Sequence, residues 1–419
     1  MMNLDDIRIG VIGLGYVGLP LARLFATRYP TVGFDLRANR VTALMQGRDD
    51  TLEVEGALLR EVLDRGTLRC SCDEEALRGC NVFVVAVPTP VDDNNRPDLE
   101  PLVRASETVG RVIGRGGIVI YESTVYPGVT EETCLPVVER VSGLRLNSDF
   151  YGGYSPERIN PGDKVHTVEH IRKVTSGSTP EAADLVDALY NSVLLGGTHR
   201  APSIKVAEAS KIIENSQRDV NIAFVNELAK IFNAMGIDTH DVLDAAASKW
   251  NFIPMQPGLV GGHCISVDPY YLIERSQLYG VLPRVMSNAR RLNNSMGSYV
   301  ANQTIKHMNL KGVQVKDSRI LILGYTFKEN CPDTRNTKVA DIYHTLREYT
   351  PNITVYDPWV TAVPGDPVTG EPVGPYDAAI LAVAHDCFRS LDLRALVPQP
   401  GVIYDVKGVL PRNIIDARL

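Results

Sequence analysis

A glycine-rich turn that carries one cysteine is the most specific chemical signal in the sequence. Residues 257–269 read Pro-Gly-Leu-Val-Gly-Gly-His-Cys-Ile-Ser-Val-Asp-Pro. We expect Asp268 to be the N-cap of a helix whose first residue is Pro269. A thiol near a helix N-terminus and a lysine experiences positive potential, which favours the thiolate. We therefore expect Cys264 to be a nucleophile, the alternative being a buried inert cysteine. His263 is a weaker candidate for its base, because adjacent side chains usually diverge.

Lys211 and Asn215 form a second candidate pair. They are four residues apart, so they share one face of any helix that contains them, and they lie inside its apolar pattern rather than opposite it. A lysine held in that position is expected to be functional. The alternative is a snorkelling lysine beside a polar contact.

The N-terminal segment carries a dinucleotide-binding pattern. A β-branched run at 8–12 leads into the turn Gly13-Leu14-Gly15-Tyr16-Val17-Gly18, and residues 19–25 have helical apolar spacing. Glycines are needed there because a pyrophosphate approaches the backbone amides at the helix N-terminus, where a Cβ would hold it off. A second strand ends in Asp35, 20 residues after Gly15, where a carboxylate binds the adenosine ribose. Because Asp35 would repel a 2′-phosphate, NAD is favoured over NADP; a tight turn beside a capping Asp is the alternative.

Polar residues follow two further apolar runs. Residues 81–87 precede Pro88-Thr89-Pro90, and residues 117–121 precede Glu122-Ser123-Thr124. Both runs read as buried parallel strands, and open α/β sheets bind ligands beyond the carboxyl ends of their strands. Thr124 is thus a site candidate, with the capping of a turn as the alternative. The predicted NAD contacts are Gly13, Gly15, Tyr16, Val17, Gly18, Asp35, Arg40, Pro88, Thr89 and Thr124.

A third strand-like segment, 150–154, leads into the polar loop 155–163, Ser-Pro-Glu-Arg-Ile-Asn-Pro-Gly-Asp. An acid near the tip of such a loop is a plausible base, which makes Glu157 a candidate. The alternative is a solvated loop glutamate.

A long helix is predicted between the two halves of the chain. Ser203 is a good N-cap, and neither Gly nor Pro interrupts the sequence before Gly236, so one helix of about 32 residues would extend for roughly 50 Å. Its apolar residues cover more than one face, which indicates burial between domains or subunits. We expect a homodimer, or a higher homo-oligomer, built on it.

The C-terminal third predicts a second α/β domain. Strand-like segments are expected at 319–324, 352–357, 378–384 and 402–405. The loop after the first of them lacks a full glycine fingerprint but offers Lys328 and Arg335, which suit a phosphorylated ligand other than a dinucleotide. The predicted fold class is α/β, with two Rossmann-like doubly wound domains joined by a long central helix and an α-helical middle domain. The predicted domains are 1–200 for NAD binding, 201–311 for the central helical region that carries Cys264, and 312–419 for the second α/β domain.

Composition excludes several other classes. The 419 residues are 44% hydrophobic and 22% charged, which is ordinary globular composition. A net charge of −7 without a basic cluster argues against nucleic acid, and no apolar run suits a membrane span. Residues 9–22 lack a signal-peptide cleavage pattern, and seven scattered cysteines suit neither a disulfide framework nor a metal site. A cytoplasmic protein without a bound metal is expected.

Together these motifs resemble the NAD-dependent nucleotide-sugar 6-dehydrogenases, the family of UDP-glucose and GDP-mannose dehydrogenases. The resemblance covers essentially the whole chain. It rests on the glycine turn, Glu-Ser-Thr at 122–124, Pro-Glu at 156–157, Lys211 with Asn215, and Gly-Gly-x-Cys with Asp at 261–268. It implies that a C6 alcohol is oxidised twice with two NAD, and that a cysteine carries a thioester which water cleaves.

The resemblance also implies individual roles. Cys264 would attack the C6 aldehyde, Lys211 and Asn215 would stabilise the oxygen anion, and Asp268 would help to position Lys211 or a water. Glu157 would be the base for hydrolysis, with Thr124 holding the water. Lys328 and the 333–335 segment would hold the UDP portion, and the loop 251–258 would cover the nucleotide sugar. The implied substrate contacts are Glu157, Arg158, Lys211, Asn215, Asn251, Phe252, Gly258, Gly261, Lys328 and Arg335.

The sequence departs from the family pattern at two places, and the first departure bears on the expected substrate. UDP-glucose enzymes usually carry a second Glu four residues after the first, whereas Pro161 stands in that position here. The 156–163 segment instead resembles the subgroup that acts on UDP-N-acetylhexosamines for surface polysaccharides, including Vi-type capsule and O-antigen. The stretch 248–252 also lacks the Arg that the family tends to place before its nucleotide-sugar loop.

The expected activity is the 6-dehydrogenation of UDP-N-acetyl-D-glucosamine or UDP-N-acetyl-D-galactosamine. UDP-N-acetylmannosamine and UDP-glucose remain alternatives. A two-electron hydroxyacid dehydrogenase would share the first domain but need no cysteine. A protein that senses NAD without catalysis would bind the cofactor and release no NADH.

Overall fold

A computed structural model describes residues 4–92, 96–158, 167–262, 264–360 and 371–419. The chain divides into two compact units. The first comprises 1–214 with 270–279, and the second comprises 215–269 with 280–419. Within the described residues no helix has the length and apolar character that a membrane crossing needs.

The first unit is built on an eight-stranded sheet in the order β3-β2-β1-β4-β5-β6-β7-β8. The first six strands in this order run parallel, β6 and β7 are antiparallel, and β7 and β8 are parallel. The order 3-2-1-4-5-6 is that of dinucleotide-binding doubly wound folds, as the sequence predicts. The strands are β1 Ile9–Ile12, β2 Thr31–Phe34, β3 Leu68–Ser71, β4 Val82–Val85, β5 Ile118–Tyr121, β6 Tyr151–Tyr154, β7 Lys173–Gly177 and β8 Thr198–Arg200.

Apolar side chains on both faces of this sheet explain its strands. All residues of β4 and β5 are buried, and successive residues enter two different hydrophobic clusters, such as Val84 in one and Phe83 in the other. A strand buried on both faces reads as a continuous apolar run, which is why these two were predictable. The helices of this unit are α1 Gly18–Ala26, α2 Ala38–Met45, α3 Gly56–Asp64, α4 Glu100–Val112, α5 Leu135–Ser142 and α6 Pro180–Asn191.

Two helices contain the boundaries between the units. Helix α7, Ile204–Met235, has the 32 residues that the sequence predicts, and the division of the chain falls between its residues 214 and 215. Helix α9, Asp268–Leu278, begins one residue earlier than predicted, at Asp268 itself. The three-domain division at 200/201 and 311/312 stays a prediction.

The second unit has a five-stranded parallel sheet in the order β10-β9-β11-β12-β13. Its strands are β9 Ile320–Leu323, β10 Ile353–Tyr356, β11 Ala378–Leu381, β12 Val402–Asp405 and β13 Ala417–Arg418. Alternate residues of β9 again enter clusters on opposite faces of the sheet. Its helices are α8 Thr239–Ala247, α10 Arg284–Asn294, α11 Met296–Leu310, α12 Val339–Arg347 and α13 Leu393–Leu396. The predicted fold class is confirmed.

Candidate active site

The glycine turn after β1 has the geometry of a pyrophosphate cradle. Gly13 has φ of +92°, and a Cβ there would lie 2.7 Å from the carbonyl oxygen of Ala86. A Cβ on Gly18 would lie 1.7 Å from the oxygen of Gly13, so this glycine lets α1 pack against the turn. Gly15 differs, because no described atom lies within 4 Å of an added Cβ. The space in front of Gly15 is therefore open to a ligand, as a dinucleotide requires.

Asp35 stands at the carboxyl end of β2 and is tied to this turn. Its Oδ2 accepts the N–H of Leu14 at 3.0 Å, and its Oδ1 accepts the N–H of Arg37 at 3.0 Å. Burial alone would raise the pKa of Asp35, but the hydrogen bonds from Arg37 and Leu14 lower it below its ordinary value. The carboxylate is thus held ionised beside the turn, which suits ribose hydroxyls and opposes a 2′-phosphate.

Arg40, a predicted cofactor contact, lies beneath the turn. Its Nε donates to the oxygen of Leu14 at 3.0 Å, and its Nη2 pairs with Asp49 at 2.7 Å. Only 5% of the residue is exposed. The structure thus gives Arg40 a supporting role for the turn, while direct contact with NAD stays a prediction. Tyr16 and Val17 lie in the turn and are half-buried.

The ends of β4 and β5 bring two predicted threonines together. The hydroxyl of Thr89 donates to the carbonyl oxygen of Thr124 at 2.8 Å. The hydroxyl of Tyr271 in α9 donates to the oxygen of Thr89. Pro88 beside them is exposed. The predicted strand-end grouping is therefore present, beyond the carboxyl ends of neighbouring strands.

Glu157 is buried beside this group. It is 7% exposed, and its N–H donates to the carbonyl oxygen of Glu122 at 3.3 Å. Burial argues against a solvated loop residue. Arg158 next to it forms an ion pair with Glu214 at 2.9 Å. The rest of the predicted loop, 159–163, lies outside the described residues, as does His263.

In the second unit, hydrogen bonds join residues 257–268, which we call the cysteine loop, to α7 and to the start of α9. The carbonyl oxygen of Cys264 accepts the N–H groups of Val267 and Asp268 at 3.0 and 2.8 Å. The amide of Asn215 donates to the Oδ2 of Asp268, which is 2% exposed. Lys211 is buried one turn earlier on the same helix. Lys211 belongs to the first unit and Cys264 to the second, so their proximity stays a prediction.

The same loop packs against the loop that follows β9. Gly262 has φ of +82°, and a Cβ there would lie 2.8 Å from the ring of Phe327. A Cβ on Gly261 would lie 2.9 Å from the oxygen of Asn336. The amide of Asn336 also donates to the oxygen of Gly262 at 3.1 Å. The two glycines are thus required for a close approach of the cysteine loop to residues 327–336, the predicted nucleotide loop.

The nucleotide loop contains the two predicted cations. Arg335 contacts Asp333 through Nε at 3.0 Å and has a half-exposed side chain, while Lys328 is half-buried. In the predicted sugar loop, Asn251 is exposed and Phe252 is half-buried. The structure brings Gly261, Phe327 and Asn336 into one cluster.

Three models of one family match this chain in sequence order. They are the NAD-binding domain, the central domain and the UDP-binding domain of the UDP-glucose/GDP-mannose dehydrogenase family, at 7–194, 205–295 and 321–412. The chain belongs to this family.

Relatives in this family match the chain over nearly its full length and theirs. A UDP-N-acetyl-D-glucosamine 6-dehydrogenase from Pseudomonas aeruginosa is 54% identical over 99% of this chain and 100% of its own. One of the same name from Salmonella typhi is 51% identical over 100% of both chains. The structure of a UDP-D-ManNAc dehydrogenase from Pyrococcus horikoshii is 31% identical, covers 98% of both chains, and superposes with a TM-score of 0.91. The predicted family is confirmed, and so is NAD as its cofactor.

The second unit also carries a carboxylate at the end of a strand, at a position that corresponds to that of Asp35 in the first unit. Asp357 follows β10 as Asp35 follows β2, and its Oδ2 accepts the N–H groups of Tyr325 and Thr326 at 2.6 and 3.0 Å. The same oxygen lies 2.9 Å from Nε2 of His385, a fully buried side chain whose Nδ1 accepts the N–H of Asn330 at 2.9 Å. Since Nδ1 accepts, Nε2 carries the proton and donates to Asp357. Three protein donors therefore converge on Oδ2 of Asp357. That the C-terminal α/β region holds a ligand other than a dinucleotide stays a prediction.

A buried ion pair below Glu157 was missed by sequence reasoning. Nζ of Lys173 lies 2.6 Å from Oε2 of Glu122 and donates to the oxygen of Pro156 at 3.1 Å. Both side chains are fully buried, and the hydroxyl of Tyr190 donates to Glu122. Burial raises the pKa of Glu122 to about 7, although Lys173 opposes this. A lysine in a strand that is buried on both faces is the signal that could have revealed this ion pair. It was missed because residues Lys173–Gly177 contain no apolar run, so the sequence did not predict a strand there.

A set of buried polar residues on α7 and α10 was also missed. Asp219 and Asn226 on α7 and Arg290 and Asn293 on α10 are at most 2% exposed. Among the described residues, no group of three His, Cys, Asp or Glu side chains is placed to hold a metal ion.

Proposed function

We propose that this family member is a UDP-N-acetyl-D-glucosamine 6-dehydrogenase, which oxidises the C6 alcohol to a carboxylate with two NAD. Two full-length relatives that carry this name support the substrate. The observation that carries the proposal is the close packing of the Cys264 loop on the 327–336 loop, through Gly261 and Gly262. A cysteine fixed beside a nucleotide loop is suited to covalent chemistry on a nucleotide-linked sugar.

The proposed reaction forms and breaks one carbon–sulfur bond. When bound, NAD would supply the hydride acceptor for each of the two oxidations. After the first, the thiolate of Cys264 adds to the C6 aldehyde, and Lys211 and Asn215 stabilise the oxygen anion of the thiohemiacetal. Loss of the second hydride from C6 leaves a thioester. Glu157 then takes a proton from a water held by Thr124, the water attacks C6, and the thiolate leaves with the carboxylate formed.

The remaining assignments concern orientation. Asp268 receives the amide of Asn215 and would thereby keep that side chain aimed at the C6 oxygen. Lys328 and Arg335 would bind the diphosphate of UDP, for which two cations on one loop are suited. Arg158, Asn251, Phe252, Gly258 and Gly261 would border the sugar. The proposed domains remain 1–200, 201–311 and 312–419.

A homodimer is proposed on the exposed face of α7. Apolar side chains recur on it at spacings that return to one side of a helix, and they are exposed by 45–63%. A second copy of the chain is the proposed occupant, because a two-fold contact uses the same patch on both subunits. The change Phe224→Asp should yield monomers in light scattering; an unchanged mass would contradict this interface. The residues of the patch are Val206, Ile213, Phe224, Ile231 and Met235.

A cytoplasmic location is proposed because the seven cysteines are too few and too scattered in the sequence for a disulfide framework, which suits a reducing compartment. Nucleic acid is not among the proposed partners, since the net charge is −7.

The test of the activity is stoichiometric. The purified protein is given NAD with UDP-N-acetylglucosamine, UDP-N-acetylgalactosamine, UDP-N-acetylmannosamine or UDP-glucose, and NADH and the uronic acid are measured. Two NADH per UDP-N-acetylglucosamine, lost in Cys264→Ala, is the expected result. If another UDP-sugar is turned over faster, that sugar replaces UDP-N-acetylglucosamine as the proposed substrate. Turnover retained in Cys264→Ser would favour a two-electron dehydrogenase, and NAD binding without NADH from any sugar would favour a sensor.

A further inference from the structure

Four buried polar side chains form a continuous network in the second unit. Asn226 donates to Oδ1 of Asn293 at 2.9 Å, and Asn293 donates to Oδ1 of Asp219 at 2.7 Å. Nη1 of Arg290 lies 2.5 Å from the same oxygen of Asp219. We call Asp219, Asn226, Arg290 and Asn293 the buried polar network. It joins α7 to α10.

This network ends on the backbone of the cysteine loop. The amide of Asn226 binds Gly258 twice, because Oδ1 accepts its N–H at 2.8 Å and Nδ2 donates to its carbonyl oxygen at 3.0 Å. At the other end, Nη1 of Arg290 approaches the carbonyl oxygen of Ile265 at 3.4 Å. Ile265 is the neighbour of Cys264. The network therefore holds the loop on both sides of the cysteine.

The contacts with α7 follow one face of that helix in reverse order. Asn226 binds Gly258, Asp219 is linked through Arg290 to Ile265, and Asn215 binds Asp268. The helix positions 215, 219 and 226 are four and seven apart and thus share a face. The loop runs along this face antiparallel to α7. Cys264 lies in sequence between the two positions that the network holds, Gly258 and Ile265.

Apolar residues could fill this space without the cost of burying an ion pair, since such replacements are often neutral or stabilising. A primary amide side chain offers both an acceptor and a donor to the backbone of a single residue, as Asn226 does for Gly258. A network that satisfies backbone groups on both sides of one residue constrains where that residue stands. Stability alone does not explain why its ends lie on either side of Cys264.

We propose that the buried polar network positions the nucleophile: Asn226 and Arg290 are positioning residues that fix Cys264 opposite the C6 carbon. The proposal rests on the proposed function, in which Cys264 forms the thioester. A variant whose cysteine loop is released from α7 would still bind UDP-sugar and NAD, because most of the proposed contacts of these ligands lie outside the loop. Its thiol would meet the aldehyde in the attacking geometry less often, and misplacement of about 1 Å costs on the order of 100-fold in rate.

The experiment compares Asn226→Ala and the double change Asp219→Leu with Arg290→Met against the wild type. The double change removes both charges together, so the fold should survive. Asn233→Ala is the matched control, because Asn233 is another amide of α7, bonded to Tyr299 outside the network. Both network variants should lower kcat at least tenfold while KM for UDP-N-acetylglucosamine stays within threefold. The control should keep the wild-type kcat.

Hydrogen exchange read by mass spectrometry supplies a measurement independent of activity. In both network variants, exchange of the 257–268 amides should quicken, while exchange in β9 and β12 stays unchanged. An unchanged kcat, or unchanged exchange in 257–268, would overturn the proposal. A kcat that falls only in proportion to a general loss of protection would do the same. If the wild type makes no NADH from any UDP-sugar, the proposed function fails, and the exchange result still decides whether the network holds the loop.

Discussion

Replacing Glu208 with glutamine should remove part of the pH dependence of stability in the first unit. Glu208 is fully buried on α7, where its two oxygens accept the N–H groups of Gly128 and Thr130 at 2.6 and 2.9 Å. No lysine or arginine of the described chain forms an ion pair with it. Burial raises its pKa from 4.5 to about 7, against the effect of the two backbone donors.

The raised pKa sets the sign and size of the effect. A folded carboxyl with a raised pKa binds its proton more tightly than the unfolded one does, so its stabilising contribution is full below pH 4.5 and is lost as pH rises through 7. Between pH 5 and pH 8 this amounts to about 2 to 3 kcal/mol. For a domain of about 200 residues, the melting temperature would fall by roughly 5 to 10 °C from this residue alone.

Calorimetry of the wild type, Glu208→Gln and Glu61→Gln at pH 5, 6.5 and 8 tests this. Glutamine has one oxygen for two N–H groups, so the variant should be less stable throughout. Its transition should nevertheless move less with pH than that of the wild type. Glu61 is an exposed acid paired with Arg65, and its variant should follow the wild type. Parallel curves for the wild type and Glu208→Gln would refute the reasoning.

Three further predictions concern single side chains. Asp35→Ser should raise kcat/KM for NADP relative to NAD at least tenfold, because a 2′-phosphate no longer meets a carboxylate; an unchanged ratio in initial rates would contradict this. Lys173→Met leaves Glu122 buried without its cation and should cost about 3 to 5 kcal/mol in urea unfolding, whereas a loss below 1 kcal/mol would count against the ion pair. His385→Phe leaves Asp357 without its buried donor, so UDP binding by calorimetry should weaken about tenfold at unchanged NAD affinity; weakening of both would indicate general damage.

The fold followed from the sequence where a local pattern was complete. The run 81–87 became β4, Val82–Val85, and 117–121 became β5, Ile118–Tyr121, because a strand between two helical layers buries both faces. Helix α7 followed from the absence of Gly and Pro between its ends. Strand β7, Lys173–Gly177, did not follow, since its polar side chains are buried with partners distant in sequence. Thr175, for example, donates to Asp187 on α6 at 2.6 Å.

The residues of the site divide in the same way, into those that a local sequence pattern predicts and those that it does not. Cys264, Gly13 and Asp35 stand beside turns, where residue type and spacing reveal the chemistry. The residues that support them stand in the middle of helices and strands, and their partners are 51 positions away for Lys173 and 67 for Asn226. Pairing at such separations is set by the packed fold, so no local pattern contains it.

One criterion would nevertheless have found part of the support. Lys211 and Asn215 drew attention because they are polar residues inside the apolar pattern of α7. Extending the same face by four and then seven residues reaches Asp219 and Asn226, which are also polar in a buried position. A buried face that stays polar over four turns must find donors and acceptors on another element, since unpaired groups there cost about 1 to 3 kcal/mol each. In this protein that element is the backbone of the cysteine loop together with α10, which is why the helix that carries the proposed catalytic pair also fixes the proposed nucleophile.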